Sequence, residues 1–449
     1  MSTPSDPAER FAALRARHPE LVYERFEIVE EADGWRFDFH FTLANGPRFQ
    51  PFLFVPKKPG APPPDRALLE NLAFHAGLAE SISYWKAACP PVLRIEAGDL
   101  SPEQTAWWRD LFYHGLGEFF YLNGLISVVD RASFVSFAVK EGGPGPIACP
   151  AEGNLVPVGG GKDSLVTLDL LAPFHAETDC FFLNPSRARE EGAALFGYGP
   201  EKTIVARRRL DPALMELNRA GYWNGHTPFS ALLGFSAVLA AVLWGKRRVV
   251  LSNEASASEP TVPGTEINHQ YSKSWDYERA FSAYVARWLT PSVSYFSLLR
   301  PWNELQIARR FAREERALSV FRSCNVGSAK DLWCGECPKC LFVDVLLLPF
   351  LSHERRAAVF GPATPLDKPA LLPILEELAG VAPVKPFECV GTTEEVLAAL
   401  ALAGERPPLA AAFLETHAAR LPDHALAEAL LSGFHGPHQV PDSFLPLLG

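Results

Sequence analysis

The chain has 449 residues, of which 48% are hydrophobic and 21% are charged, and its formal net charge at pH 7 is −10. These fractions are typical of folded globular proteins and exclude a largely disordered chain. The length, at roughly 150 residues per domain, predicts several structural units, and the acidic balance argues against nucleic acid as a bulk partner.

The N-terminal region begins without a targeting signal and then predicts a small antiparallel sheet. Residues 1–20 are polar and charged and lack the apolar segment of a secretory signal, so we expect a cytoplasmic protein. Residues 22–56 alternate apolar and polar positions around Asp33-Gly34, which is typical of a β-hairpin with a third strand after it. The proline-rich residues 59–64 predict a linker.

Helical patterns follow this linker. Apolar residues recur at helical spacing over 68–86, which predicts a helix with one buried face. Ser101 and Gln104 form a capping box with a proline at the first helical position, which predicts the start of a second helix. We therefore assign residues 1–150 to an N-terminal β-hairpin and helical region.

From residue 153 the pattern changes to alternating strands and helices. The predicted strands are 155–159, 180–184, 203–207, 249–252 and 293–299, and the predicted helices are 164–172, 211–220, 228–244, 276–289 and 303–315. Such alternation predicts an α/β fold, a parallel sheet with helices on both faces, over residues 151–350. Residues 351–449 are rich in Ala, Leu and Pro and predict a C-terminal region of short helices.

One apolar run, Pro228–Trp244, approaches membrane length and is followed by three basic residues. A buried helix is the favoured interpretation, because the run is short of about 20 residues, contains two serines and a glycine, and leads directly into an apolar strand. We therefore expect no membrane association.

A glycine loop joins the first central strand to its helix. The sequence from Leu155 to Ser164 reads Leu-Val-Pro-Val-Gly-Gly-Gly-Lys-Asp-Ser. Glycines let backbone N–H groups turn toward one point, and the following helix N-terminus favours an anion, so the loop predicts a phosphate-binding site rather than a plain turn. The predicted ATP-binding residues are Gly159, Gly160, Gly161, Lys162, Asp163 and Ser164, to which we add Asn253.

The same loop resembles the PP-loop, Ser-Gly-Gly-x-Asp-Ser, of ATP pyrophosphatases, which belong to the adenine nucleotide alpha-hydrolase-like folds. Gly159 stands where that motif has its first serine, so one hydroxyl contact is missing. The resemblance implies that the β and γ phosphates of ATP are held and that AMP is transferred to an oxygen nucleophile with release of pyrophosphate.

Four of the eight cysteines cluster late in the chain, at Cys324, Cys334, Cys337 and Cys340. Two overlapping Cys-x-x-Cys steps and one more distant thiolate match tetrahedral zinc coordination, which predicts a closed structural Zn²⁺ site. A redox pair is the alternative. The spacing resembles the zinc clip of PP-loop enzymes that make 7-cyano-7-deazaguanine. The remaining cysteines, Cys89, Cys149, Cys180 and Cys389, are interpreted as small buried hydrophobic residues.

Three polar loops follow predicted strands or precede predicted helices, at 224–228, 252–259 and 267–274. Loops at the carboxyl edge of a parallel sheet carry binding groups, so we expect these three to form one site.

These loops, with the segments 83–90, 115–119, 333–335 and 385–391, are similar over nearly the whole chain to the MurL-type family of UDP-N-acetylmuramoyl-L-alanyl-L-glutamate epimerases of bacterial peptidoglycan synthesis. The resemblance implies an isomerase that uses ATP and Mg²⁺, releases AMP and pyrophosphate, and inverts the terminal L-glutamate of a UDP-muramoyl dipeptide through an acyl-adenylate.

Within that resemblance, residue type assigns roles. Histidine and lysine suit proton transfer, hard carboxylate oxygens suit Mg²⁺, and basic residues suit the diphosphate or carboxylates of the substrate. The catalytic candidates are His269, Lys273 and His226, with Glu254 and a less favoured Tyr271; Asp163 or Glu254 is the magnesium candidate; and Lys86, Arg300 and Lys385 are the substrate-binding candidates.

Two other functions remain open from the sequence. Another PP-loop adenylating enzyme, acting on a carboxydeazaguanine or a tRNA base, would explain the zinc clip. A catalytically inactive nucleotide-binding regulator would explain the glycine at position 159. The sequence leaves the oligomeric state open.

Overall fold

A computed structural model of the chain describes residues 6–60, 63–327 and 330–449. The predicted linker at 59–64 and the leading segment 1–20 therefore lie partly outside the described residues. The strands form one eleven-stranded mixed sheet in the order β11-β10-β7-β8-β9-β4-β2-β1-β5-β6, with β3 paired to β2. The strands are β1 Glu20–Glu30, β2 Gly34–Leu43, β3 Arg48–Phe49, β4 Phe52–Pro56, β5 Val92–Leu100, β6 Ser136–Glu141, β7 Asn154–Pro157, β8 Thr178–Leu183, β9 Thr203–Arg209, β10 Arg248–Leu251 and β11 Ser294–Ser297.

Five strands, β7 to β11, form a wholly parallel half of the sheet, which confirms the α/β prediction. Every residue of β8 is buried, as expected for a strand that is covered on both faces. Neighbouring residues of β7 face different cores, since Leu155 packs in one hydrophobic cluster and Val156 in the other. Helices therefore cover both faces.

The N-terminal strands extend this sheet and do not form a separate small one. β4 pairs antiparallel with β9, from Phe52 opposite Arg209 to Phe54 opposite Arg207, and β2 and β1 follow as the predicted hairpin. β5 and β6 then add in parallel beyond β1, and neither was predicted. Partial exposure of β5 and β6 breaks the apolar pattern by which strands are recognised in a sequence.

The helices are α1 Pro7–Arg17, α2 Arg66–Trp85, α3 Pro102–Gly115, α4 Gly117–Leu122, α5 Lys162–Leu170, α6 Arg187–Leu195, α7 Pro212–Arg219, α8 Phe229–Trp244, α9 Trp275–Tyr284, α10 Glu304–Phe311, α11 Glu315–Leu318, α12 Pro338–Leu347, α13 His353–Phe360, α14 Leu372–Leu378, α15 Thr393–Leu402, α16 Pro408–His417 and α17 His424–Ala429. The predicted helix 276–289 ends as a π-turn at Val285–Leu289, and the predicted helix 303–315 is divided into α10 and α11. The helix α6 was not predicted.

Two helices lie at the centre of the first core. Asp65 caps α2 by accepting a hydrogen bond from the Leu68 N–H at 2.9 Å, and the helix packs along α8. The apolar run at Pro228–Trp244 is thus a buried helix, as predicted. Among the described residues, no helix is both long and apolar enough to cross a membrane. The helices after residue 338 build the second core with α5 and α10.

Candidate active site

The glycine loop leaves β7 at its carboxyl end and enters α5 at Lys162. Gly160 has a φ of +83°, and a Cβ there would lie 3.1 Å from the Ala188 Cβ. A Cβ at Gly161 would lie 2.7 Å from the Ser323 Oγ, whereas Gly159 has open space around it. The backbone conformation therefore requires glycine at Gly160, whereas a side chain at Gly161 would displace the Ser323 hydroxyl and one at Gly159 would meet open space.

The start of α5 is suited to an anion. Its N-cap is Gly161, which has no side chain to hydrogen bond the first turn. The first N–H groups of a helix have no partner within the helix and carry the positive end of its dipole. Asn253 follows β10, the strand next to β7, at the same edge of the sheet. Nearby, the buried Ser252 Oγ has no hydrogen-bond partner among the described residues. The loop thus fits a nucleotide phosphate.

Charged side chains crowd beside this loop. Lys162 is buried and its Nζ contacts the carboxylates of Asp163 and Glu304. Burial raises the pKa of Glu304 to about 7 even though Lys162 opposes the shift. Burial also acts on Asp163, but Lys162 and Lys339 outweigh it and hold the pKa of this carboxyl below its usual value. Lys162 is therefore shared by two carboxylates and does not extend freely toward a ligand.

Glu254, at the end of the same edge, is buried. Burial and the neighbouring Asp163 raise the pKa of its carboxyl, while Lys273 acts in the opposite direction. The two magnesium candidates therefore influence each other electrostatically, and carboxylate oxygens are ligands of the kind that Mg²⁺ takes.

The two candidate histidines form a pair around a carboxylate that was not predicted. The rings of His226 and His269 lie 4.7 Å apart between centroids. Glu118, on α4, contacts the Nδ1 atoms of both rings, at 3.2 Å for His226 and in a very short hydrogen bond for His269. A shared carboxylate fixes the orientation of both imidazoles.

The two rings carry different charge. Burial and the neighbouring His269 lower the pKa of His226 to about 3, so its imidazole is neutral. Burial also acts on His269, but Cys389 and Glu118 outweigh it and raise its pKa to about 9. One ring is thus available as a base and the other as an acid at neutral pH.

Cys389 corrects the interpretation of the isolated cysteines as buried hydrophobic residues. The residue is only partly buried, and its Sγ lies 3.1 Å from the Lys273 Nζ and 3.7 Å from the His269 Nε2. Burial would raise the pKa of this thiol, but Lys273 and His269 lower it to about 5. Cys89 and Cys180, by contrast, are buried, and their pKa values lie above the usual range as burial requires.

Lys273 and Tyr271 have different surroundings. Burial would lower the pKa of Lys273, but Cys389 and Glu254 outweigh it and raise the pKa above its usual value, so the ammonium stays charged. The Tyr271 hydroxyl donates to Asp110 at 3.1 Å, outside the histidine pair, and burial and that carboxylate raise its pKa. Lys273 therefore lies next to Cys389, whereas Tyr271 is bound to Asp110 outside the histidine pair.

The three substrate-binding candidates are engaged by the protein itself. Arg300 is buried, pairs with Glu278 at 2.7 Å, and donates to the backbone carbonyls of Glu254 and Lys273, each at 2.5 Å. The Nζ of Lys385 contacts Glu259 and the Gly391 carbonyl, and that of Lys86 contacts Thr227 at 2.6 Å and the Gly225 carbonyl. Lys86 borders the histidine pair, and burial lowers its pKa to about 8.

The cysteine clip, defined as Cys324, Cys334, Cys337 and Cys340, is assembled as predicted. The sulfur atoms of three pairs lie 3.5–3.9 Å apart, and all four lie within 4.8 Å of one another. A tetrahedral zinc site with Zn–S bonds of about 2.3 Å requires sulfur separations of this size. The residues present therefore fit Zn²⁺, which would hold the clip closed.

The clip connects the glycine loop to the Cys389 loop. The Arg322 N–H, two residues before the clip, donates to the Gly160 carbonyl at 2.9 Å. Lys339, inside the clip, donates to the Cys389 carbonyl through its Nζ. One structural unit thus sets the positions of two parts of the site.

Sequence reasoning missed Glu118, Glu304 and Cys389. Glu118 contacts a histidine 151 residues away, and Glu304 contacts a lysine 142 residues away, so no local spacing marks either one. Glu118 does occur in a segment that carried the family resemblance, and this was its only signal in the sequence.

Comparison with known proteins identifies relatives over nearly the whole chain. Family models described as the MurL N-terminal domain and the MurL C-terminal domain match residues 13–298 and 318–431. A protein of Salinispora tropica is 37% identical over 92% of this chain and 92% of its own, and one of Micromonospora sp. is 36% identical over 92% and 94%. A third, of Xanthomonas oryzae pv. oryzae, is 36% identical over 81% and 82%. All three are named UDP-N-acetyl-alpha-D-muramoyl-L-alanyl-L-glutamate epimerase. No solved structure matches the chain.

Proposed function

The chain belongs to the MurL family of UDP-N-acetyl-alpha-D-muramoyl-L-alanyl-L-glutamate epimerases, and we propose that it inverts the terminal L-glutamate of this dipeptide to D-glutamate. The observation that carries the proposal is 37% identity over 92% of both chains to a protein of that name. The enzyme is then an isomerase of peptidoglycan precursor synthesis with a small-molecule substrate. Because ATP and UDP-linked sugars are held inside cells, we place it in the cytoplasm.

Inversion requires removal of the α-proton beside a carboxylate, and that negative charge opposes formation of a carbanion. We propose that ATP removes this charge by adenylating the α-carboxyl, with release of pyrophosphate and later of AMP. The γ-carboxyl is too remote from the stereocentre to acidify its proton. The uncapped helix start at Gly161 and the glycine requirement at Gly160 support phosphate binding by the loop.

We assign proton exchange at the α-carbon to the histidine pair. His226, neutral because its pKa is lowered, accepts a proton, and His269, charged because its pKa is raised, donates one. Glu118 orients both rings. Lys273 remains a fixed positive charge. For Tyr271, whose hydroxyl is bound to Asp110, we propose a structural role and no part in proton exchange.

Two metal ions are assigned to separate roles. Asp163 and Glu254 would hold Mg²⁺, which neutralises phosphate charge when it is bound. The cysteine clip would hold a structural Zn²⁺ with no open position for water. Of the substrate-binding candidates, Lys86 borders the proton-exchange site, while Arg300 and Lys385 brace the loops around it.

The test is to incubate the full chain with ATP, Mg²⁺ and UDP-muramoyl-L-alanyl-L-glutamate in deuterated water. We expect AMP and pyrophosphate in amounts that depend on the dipeptide, and D-glutamate that carries deuterium at its α-carbon on chiral analysis. Formation of ADP in place of AMP would contradict adenylation. AMP release that depends on a carboxydeazaguanine or a tRNA, and not on the dipeptide, would favour the other PP-loop enzymes that the clip resembles.

A further inference from the structure

Cys389 has the surroundings of an activated nucleophile. Its Sγ lies 3.7 Å from the His269 Nε2, and the Nδ1 of that ring is hydrogen-bonded to Glu118. A thiol, an imidazole and a carboxylate in series are the arrangement by which enzymes activate cysteine for covalent catalysis. Lys273 adds a buried positive charge 3.1 Å from the sulfur. The site thus stabilises a thiolate.

The loop that carries Cys389 is held on three sides. The Gln270 side chain donates to the Val390 carbonyl at 2.9 Å, Lys339 donates to the Cys389 carbonyl, and Lys385 donates to the Gly391 carbonyl at 3.1 Å. Such fixation keeps a reactive atom in place and reduces the entropy lost on reaction. The residue as a whole is nevertheless partly exposed.

Cys389 has no structural role that would explain these contacts. It is separate from the four cysteines of the clip, and it is not in a disulfide. A thiol that served only for packing would be surrounded by apolar side chains, as Cys180 is in the second core. The site places three cationic side chains, Lys273, His269 and Lys339, near the sulfur.

We propose that the Cys389 thiolate attacks the adenylated α-carboxyl of the substrate and holds the glutamyl group as a thioester while its α-carbon is inverted. This step rests on the function proposed above. Lys273 lies 3.1 Å from the Cys389 sulfur and interacts electrostatically with Asp163, so the sulfur and the glycine loop share one cationic neighbour, and the sulfur lies 3.7 Å from His269.

The bonds balance without a further reactant. The sulfur forms a bond to the acyl carbon, and the bond from that carbon to the AMP oxygen breaks, so AMP leaves with the electron pair. Proton exchange then occurs at the α-carbon, which a thioester carbonyl activates. Water finally attacks the acyl carbon, the C–S bond breaks and the thiolate is restored. One of the two water protons returns His269 to its charged form, and the other passes to solvent together with the proton that His226 had accepted.

The charge on His269 changes during these reaction steps. Its pKa is raised by the thiolate and by Glu118, and acylation of Cys389 removes the first of these. The imidazolium therefore loses a stabilising partner and its pKa falls, so it donates its proton to the α-carbon more readily. Once it has donated that proton, the neutral ring can accept one from the water that cleaves the thioester, so hydrolysis follows proton exchange.

The experiment is intact-protein mass spectrometry of the full chain, quenched with acid during turnover with ATP, Mg²⁺ and the dipeptide. We expect an adduct with the mass of the substrate minus water, located at Cys389 and removed by hydroxylamine. Cys389→Ala and Cys389→Ser should lack the thioester and lose inversion by about 10³-fold or more, while exchange of pyrophosphate into ATP continues. Cys149→Ala, at another partly exposed thiol, is the matched control and should behave as the unchanged protein.

The outcomes separate the two proposals. If the unchanged protein exchanges pyrophosphate into ATP and inverts the glutamate but forms no adduct, the thioester proposal is overturned and the proposed epimerase function stands. Loss of inversion in Cys389→Ala without an adduct in the unchanged protein would overturn the thioester and assign Cys389 to proton transfer. If pyrophosphate does not exchange into ATP in a manner that depends on the dipeptide, the adenylation proposal is overturned, and the thioester proposal is overturned with it.

Discussion

The cysteine clip and Cys389 use the same side chain in opposite surroundings. In the clip, sulfur faces sulfur at 3.5–3.9 Å, and four thiolates this close need a cation between them. At Cys389, sulfur faces an ammonium and an imidazole, which neutralise the thiolate without a metal. The neighbours of a cysteine therefore determine its chemistry, so a folded structure is needed to distinguish a ligand from a reactive group.

The largest effect is expected at the clip. Cys340→Ser removes a fully buried sulfur and should abolish zinc binding and lower the free energy of unfolding by several kcal/mol, because metal binding and folding are coupled in structural zinc sites. Zinc content by atomic emission and thermal unfolding measure this. The control is Cys149→Ser outside the clip. An unchanged protein that is purified without zinc, and that is as stable as Cys340→Ser, would contradict a structural metal.

The second largest effect is expected at Glu118, the carboxylate that is hydrogen-bonded to His269. Glu118→Gln keeps the shape of the side chain but cannot stabilise the charge on His269, so inversion should fall by about 100-fold, with a smaller change in KM. Steady-state kinetics with chiral analysis measure this. Glu266→Gln, at an exposed glutamate, should change neither value by more than about two-fold. Equal losses in both variants would remove Glu118 from the site.

Thiol reactivity should distinguish Cys389 from an ordinary cysteine by its pH dependence. A thiol with its pKa lowered to about 5 is deprotonated above that pH, so its alkylation rate should be nearly constant from pH 6 to 8 and fall below pH 5. His269→Gln removes one of the cations that hold the pKa down, which leaves Lys273 and Lys339, so the midpoint should rise and the rate at pH 6 should fall by about ten-fold.

Iodoacetamide labelling at each pH, with peptide mapping to locate the label, gives the profile. The carboxyl of Glu388, which is adjacent to Cys389, has a pKa raised to about 7 by burial. Above that pH its negative charge should slightly increase the protonated fraction of the Cys389 thiol. An unchanged protein with a midpoint near 8 or 9 would show that the thiolate is not stabilised. The clip cysteines should resist labelling while zinc is bound.

The smallest effect is expected at the glycine loop. A Cβ at Gly159 would meet open space, so Gly159→Ser should fold normally and add a hydroxyl near the phosphates, lowering the KM for ATP about two- to five-fold. Gly160→Ser is the contrasting variant, since its φ of +83° and its contact with Ala188 exclude a side chain. A higher KM in Gly159→Ser would indicate that phosphate does not approach this position.

The parallel half of the fold could be predicted because its strands are short apolar runs between turn signals, and β8 and β9 begin within two residues of their predicted starts. The clip could be predicted because zinc ligands are close together in the sequence. The continuous sheet could not be predicted, because pairing of β4 with β9 depends on residues about 150 positions apart.

The active site could be predicted only in part, for the same physical reason. His226, His269 and Lys273 were identified by residue type on loops at the expected edge, and the structure brings them together. The groups that set their charge, Glu118 and Cys389, come from other parts of the chain, and the segments around them carry the family resemblance without indicating a role for either residue. Burial and proximity, which a sequence does not display, determine which partner each histidine has.

The antiparallel contact between β4 and β9 has a consequence for shortened chains. Removing residues 1–150 would take away β4, which pairs with β9 from Arg207 to Arg209, and would leave β9 as a bare sheet border. Such a border recruits strands from other molecules, so the parallel half of the sheet produced alone should precipitate or assemble into β-rich particles. The N-terminal strands therefore act as a built-in cover that keeps the parallel strands from polymerising.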